Sequence, residues 1–169
     1  LVLTTERTID FTTDEVTWMS IDISPDGQTI VFDLLGDLYT LPIGGGEARR
    51  IIGGLSFESQ PTWSPDGRTL AFLTDRTGVE NLWIADADGS NPRAVSKDGR
   101  TSDRPQIMTS PAWTPDGQYV VVSKSRPPDP GTFWLFMYHR DGGNGVRVGA
   151  APPPQASPDS PGPPPPPAP

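Results

Sequence analysis

The residues of this chain best placed to do chemistry are three aspartates in near-identical surroundings, a lone histidine and a short stretch of mixed charge. Asp26, Asp66 and Asp116 each stand third in a Ser/Thr-Pro-Asp-Gly tetrapeptide, and carboxylates brought together can hold a hard divalent cation. The tetrapeptide also has a mechanical explanation. Ser or Thr suits the first position of a type I turn, Pro25, Pro65 and Pro115 preset φ at the second, Asp bonds locally at the third, and Gly27, Gly67 and Gly117 suit the fourth. Carried on separate repeats, the carboxylates are expected to lie far apart and to serve the turns. His139 is the single histidine and ends a strand-like run beside Arg140 and Asp141, where a surface role is expected. Ser56, Ser59 and Ser123 lack the Gly-x-Ser-x-Gly setting of a nucleophile elbow. Gly44-Gly45-Gly46 has no following lysine or helix to cradle phosphate. With no cysteine there is no thiolate nucleophile, zinc ribbon or disulfide framework. No catalytic, cofactor-binding or metal-binding residue is therefore expected. What stays open is the polar connection from Asp98 to Gln106, in which Asp98, Arg100, Asp103 and Arg104 either contact a partner or are simply solvated.

Composition narrows the classes further. A net charge of −8 over 169 residues argues against an extended phosphate-binding surface, because nucleic-acid binders cluster Lys and Arg. No run of 18 apolar residues is present to span a membrane. Leu1 to Asp10 carries no basic segment followed by an apolar one, so no signal peptide is visible. Of 22 prolines, 11 fall between Ala150 and Pro169. That stretch is expected to be a disordered or polyproline II tail or linker, because proline cannot donate to a strand ladder.

The elements that position the candidate residues repeat. The tetrapeptide begins at Ser24, Ser64 and Thr114, spacings of 40 and 50 residues. Each copy is followed by an apolar run (Ile30-Val31-Phe32, Leu70-Ala71-Phe72, Val120-Val121-Val122) and then by a second one beginning at Leu38, Leu82 and Leu135. A glycine-bearing turn and a short closing segment complete each unit. Four short strands per unit of about 40 residues is the signature of a β-propeller blade. A sandwich would not repeat one tetrapeptide at the same place in successive units. The expected fold class is all-β: about three four-stranded antiparallel blades, over residues 18–53, 57–97 and 107–149, preceded by an N-terminal segment 1–17 with a strand at Thr8 to Phe11. Trp18, Trp63, Trp83, Trp113 and Trp134 are expected mostly in core and interblade packing. The connection Asp98 to Gln106 and an insertion from Arg126 to Gly131 are expected to share one face, as long loops in repeats commonly do. Closed propellers typically have four to eight blades. Three form an incomplete propeller whose end blades expose apolar flanks, and which needs further blades of a longer chain or self-association to close.

The repeat Thr62-Trp63-Ser64-Pro65-Asp66-Gly67-Arg68-Thr69-Leu70-Ala71-Phe72, followed by Asn81-Leu82-Trp83-Ile84-Ala85-Asp86-Ala87-Asp88-Gly89, resembles the propeller repeats of the TolB type across all three blades. Such repeats occur in scaffolds, peptidases and other hydrolases, so the resemblance implies the fold more than a function. A narrower resemblance rests on Glu6 to Glu15, Thr17-Trp18-Met19 and Phe32 to Ile43, together with Tyr138-His139-Arg140-Asp141-Gly142-Gly143 ahead of a proline-rich stretch. These are similar to the N-terminal propeller of bacterial exported amidohydrolases. That resemblance implies a periplasmic or extracellular protein with further blades and a metal-dependent (β/α)₈ hydrolase domain as partners, whose metal ligands lie outside this chain. The alternatives are a stand-alone TolB-like interaction scaffold and the propeller of a serine peptidase.

Overall fold

The computed structural model of the chain describes residues 11–98, 107–126 and 129–149. These hold twelve strands and no helix. Blade one contains β1 (Ile21–Ile23), β2 (Thr29–Leu34), β3 (Asp37–Pro42) and β4 (Arg49–Ile52). Blade two contains β5 (Glu58–Trp63), β6 (Thr69–Thr74), β7 (Asn81–Asp86) and β8 (Arg93–Ala94). Blade three contains β9 (Met108–Trp113), β10 (Tyr119–Arg126), β11 (Asp129–His139) and β12 (Val146–Val148). Each blade is a four-stranded antiparallel meander in chain order. The all-β propeller fold expected from the repeats is the fold observed. Most of the expected strand at Thr8 to Phe11 lies outside the described residues, as do Pro127, Pro128 and the proline-rich tail. Phe11 itself is described and is not in a strand. The stretch from Arg126 to Gly131 is less of a loop than its prolines suggest, because Arg126 and Asp129 pair across the tip of a β10–β11 ribbon.

Strand alternation gives each blade two apolar faces, and the order of blades decides which are covered. Val31 and Leu38 of blade one are buried against the face of blade two that carries Trp63, Leu70, Phe72 and Ala85. The opposite face of blade two, with Ala71, Leu73, Leu82, Ile84 and Val95, packs on Met108, Val120, Val122 and Tyr138 of blade three. Among the described residues, blade two is thus covered on both sides, while blades one and three are covered on one.

Equivalent positions make the contrast measurable. The ladder register matches Leu82 of blade two to Leu135 of blade three, since they face Leu73 and Ser123 respectively. Leu82 is 0% exposed and Leu135 50%. Likewise Val95, bonded to Leu82, is 0% exposed, while Val148, paired with Leu135, is 42%. On the other flank Trp63 is 9% exposed, whereas Ile23, which also immediately precedes its tetrapeptide, is 50%. Trp18 departs from the packing role expected of the tryptophans. It precedes β1, is wholly exposed and has a φ of 62°.

Close backbone approach between blades depends on one glycine in particular. Gly89 turns β7 into β8 at φ +85°, and a Cβ there would clash with the carbonyl oxygen of Ile51 in blade one. Gly45 has nearly the same dihedral, φ +87°, with nothing within 4 Å. Gly45→Ala is expected to cost about 1 kcal/mol from conformation alone. Gly89→Ala should cost about 2 kcal/mol more, because overpacking adds to strain. Urea unfolding of the two variants tests this, and equal costs would mean that blades one and two are not in that contact.

Candidate functional site

The blades present two ends and two open faces. At one end lie the three tetrapeptide turns. In each, the first residue's hydroxyl donates to the aspartate carboxylate: Ser24 to Asp26 and Ser64 to Asp66 at 2.6 Å, Thr114 to Asp116 at 2.5 Å. The same hydroxyl accepts the backbone N–H of the residue five further on, and the carboxylate accepts that of the residue two further on. The glycine N–H closes the turn on the carbonyl of its first residue. Gly27, Gly67 and Gly117 then take φ of 71°, 68° and 66°, a region that glycine occupies without a Cβ penalty.

The hydroxyl bonds, followed by the backbone N–H bonds, hold the carboxyls of Asp26, Asp66 and Asp116 below the ordinary value of 3.8. A folded-state pKa depressed in this way contributes stability that is full above about pH 4 and lost as the pH falls through the folded value. Each carboxylate is turned into its own turn. Among the described residues no group of three or more His, Asp or Glu side chains is arranged to hold a metal ion. Ser64 is fully buried, so Ser64→Ala leaves the Thr69 N–H and one lone pair of Asp66 unmatched. We expect a loss of about 1–2 kcal/mol at pH 7, with a smaller loss at pH 3. Thermal melts at both pH values check it, and a cost independent of pH would remove the Asp66 contact from the account.

Neighbouring turns also nest. A Cβ on Gly67 would lie 3.5 Å from the Pro25 ring, and one on Gly117 would lie 3.7 Å from the Pro65 ring. The proline of one blade therefore rests against the glycine of the next. The aspartates share a contiguous edge, although the turns and not a common ligand set their orientation.

The other end carries the β2–β3, β6–β7 and β10–β11 turns and the connections between blades, so the two ends of the Asp98 to Gln106 connection emerge on the same side as the β10–β11 tip. Asp98 is not merely solvated. Its N–H donates to Asn81 Oδ1 at 2.7 Å and its carbonyl accepts from Asn81 Nδ2 at 3.1 Å. Its carboxylate accepts from Lys124 Nζ at 2.6 Å and from the Tyr138 hydroxyl at 3.2 Å. Lys124 is almost fully buried and lies 4.8 Å from the centre of the Phe136 ring. Burial, then the Asp98 charge, pushes the Tyr138 phenol well above its ordinary value, so it stays a hydrogen-bond donor.

Blades one and two meet over a counterpart. Glu58 is fully buried and accepts from Arg76 at 2.7 Å, and the Arg76 guanidinium sits 4.9 Å from the centre of the Trp83 ring. Each interblade core is thus capped at this end by a cation held between an aromatic face and a carboxylate. Lys124, Tyr138, Glu58 and Arg76 were not singled out from sequence. The available signal was alternation, which puts Lys124 on the same face of β10 as Val120 and Val122. Arg100, Asp103 and Arg104 lie outside the described residues.

A cleft of about 540 Å³ beside this network is lined by Thr77, Gly78, Val79, Asn81, Ser96 and Asp98, among others. Among its described lining residues no nucleophile and base are in contact. His139 is partly exposed, stacks edge-on with Tyr119 and approaches Asp141 at 3.6 Å at the turn end, away from the cleft. The described residues contain no helix long and apolar enough to cross a membrane.

Comparison with known proteins agrees with this geometry. An uncharacterized peptidase, YuxL, of Bacillus subtilis is 40% identical over 68 residues, 40% of this chain and 9% of the peptidase. Tricorn protease homolog 1 of Streptomyces coelicolor is 27% identical over 119 residues, 70% of this chain and 11% of that protein. The structure of a putative TolB from Agrobacterium tumefaciens superposes with a TM-score of 0.64 at 25% identity, covering 80% of this chain and 50% of that one. The chain spans about a tenth of the length of these two curated relatives, so it resembles the propeller portions of peptidases as well as TolB itself. The TolB beta propeller domain matches residues 3–126, nearly three-quarters of the sequence, and the chain belongs to that family.

Proposed function

We propose that this chain is the noncatalytic propeller segment of a larger exported hydrolase, where it packs against a catalytic domain and limits substrate access to it. The observation that carries this reading is the pair of open apolar faces that leave Ile23 of blade one and Leu135 of blade three half exposed. Similarity to peptidases of which the matched segment makes up only 9% and 11% supports a hydrolase as the parent. The run Phe32 to Ile43 and the first-blade residues before it favour an amidohydrolase; the 40% identity to YuxL favours the peptidase alternative instead. Export to the periplasm or beyond belongs to the same reading and rests on the family resemblance.

The test is the sequence and activity of the longer gene product. A histidine-rich (β/α)₈ domain supports the amidohydrolase parent, and a Gly-x-Ser-x-Gly elbow in an α/β-hydrolase domain supports the peptidase. The absence of both overturns the hydrolase reading. A stand-alone scaffold remains the second reading, favoured by the superposition on TolB. It predicts a gene product with no catalytic domain.

A further inference from the structure

We infer that Asn144, in the turn from β11 to β12, is a self-modification site, at which the backbone nitrogen of Gly145 displaces the side-chain amide and water then leaves aspartate or isoaspartate. The dipeptide supplies the chemistry. Glycine, having no Cβ, leaves its nitrogen unhindered and lets the backbone reach the angle of attack. The Gly145 nitrogen gives up its proton and bonds to Asn144 Cγ, the Cγ–Nδ2 bond breaks, and ammonia departs from a five-membered succinimide. Water adds to one of the two ring carbonyls. Opening on one side restores the ordinary peptide bond beside a new carboxylate. Opening on the other routes the main chain through Cβ and Cγ, which is isoaspartate. Nothing is oxidised or reduced, and water is the single co-reactant.

Structure selects this site from others with the same chemistry. The sequence has two further asparagines, Asn81 and Asn91. Asn81 is buried, its Nδ2 donates to Thr77 Oγ1 and to the carbonyls of Val79 and Asp98, and its Oδ1 accepts from Ser96 and from the Asp98 N–H. The nitrogen that would attack it, that of Leu82, is itself bonded to Ser96 Oγ. Asn91 precedes Pro92, whose nitrogen carries no proton to lose. Asp26-Gly27, Asp66-Gly67, Asp88-Gly89, Asp116-Gly117 and Asp141-Gly142 could close the same ring by losing water. In all five the glycine N–H is held in its turn, donating to the carbonyl of Ser24, Ser64, Asp86, Thr114 or His139 at 2.7–2.9 Å. Hydroxyl bonds, followed by backbone N–H bonds, also keep the carboxyls of Asp26, Asp66, Asp88 and Asp116 ionised, and a carboxylate is a poor electrophile. Asn144 is exposed, and among the described residues neither its amide nor the Gly145 N–H has a hydrogen-bond partner.

The place of the turn gives the change a structural reach. Gly145 takes φ +70° and lies so close to the Tyr138 ring that a Cβ would clash with it. Tyr138 is buried, and its hydroxyl donates to Asp98 in the joint between blades two and three. Isoaspartate inserts one methylene into the main chain directly before Gly145 and adds a carboxylate to a chain whose formal net charge is already −8. A surface amide is thereby coupled to the seat of Tyr138 and to the start of β12.

The test is to hold the folded 169-residue chain in mildly alkaline buffer, sample it over days, and map its tryptic fragments by mass spectrometry with fragmentation that tells isoaspartate from aspartate. Synthetic peptides of the same fragments, kept alongside, give the rates without the fold. Asn144 should convert within about tenfold of its rate in the peptide Asp141 to Arg147, because no structure has to open first. Asn81 and the aspartate of Asp66-Gly67 should each react more than about tenfold slower than in their own peptides, since those bonds must break before the ring can close. Asn144→Gln, whose longer side chain must close a six-membered ring, should abolish the signal in the Asp141 to Arg147 fragment. Conversion of Asn144 more than about tenfold slower than in its peptide overturns the inference. So does conversion of Asn81 or Asp66 as fast as in their peptides, which would mean that the fold does not select the site.

Discussion

Leu82→Ala is expected to destabilise the chain by about 2–5 kcal/mol, while Leu135→Ala, one blade later at the same repeat position, costs less than about 1 kcal/mol. The chemistry removed is identical, and only the cover differs. Leu82 stands in the core between blades two and three, beside Leu73, Val95 and Tyr138. Its truncation removes transfer free energy and leaves a cavity that rigid sheets close only in part. Leu135 is half exposed, so its truncation opens no cavity and returns little apolar area to water. Midpoints and slopes of urea unfolding, read for both variants, separate the cases. Equal losses would require something to cover blade three in the isolated chain.

The second large effect is expected at the loop-bearing end. Lys124→Met should cost about 3–5 kcal/mol, because it leaves the Asp98 carboxylate, partly buried and still hydrogen-bonded by the Tyr138 hydroxyl while Asn81 holds the Asp98 backbone, without its cation. The double variant Asp98→Leu/Lys124→Met should recover most of that loss, since replacing both members of a buried pair is far milder than orphaning one. Additive losses would mean that the two side chains act separately and that the 2.6 Å contact does not persist in solution. The functional consequence is positional. Asp98 begins the interblade connection, and its clamp ties that connection to blade three at the end where the blade tips emerge.

The turns, the strand order and the blade repeat were legible in the sequence because each depends on local chemistry. Pro65 presets one dihedral, Gly67 permits another, and Val-Ile-Phe runs alternate at the strand period. The joints between blades were not legible in the same way. Lys124 and Tyr138 lie 26 and 40 residues from Asp98, and nothing local pairs them. Only the misfit of a lysine on an apolar face hinted at a buried partner. The nesting of Pro25 on Gly67 was hidden for a related reason: each turn is complete in itself, and its outer surface acquires meaning only when the blades stand side by side. Trp18 shows the converse. Its type predicts burial, but it stands wholly exposed ahead of β1.

The central claim is that this is an open run of three blades in which only the middle one is covered on both sides. Amide hydrogen exchange, resolved by residue, tests it most directly, since it reports the opening free energy of each strand. The result predicted is that Leu70 to Leu73 in β6 and Leu82 to Ala85 in β7 exchange only through global unfolding. Val146 to Val148 in β12 and Ile21 to Ile23 in β1 should exchange at least about a hundredfold faster through local opening. Protection in β1 and β12 equal to that in β6 would contradict the account, because it would mean that the two outer blades are as fully covered as the blade between them.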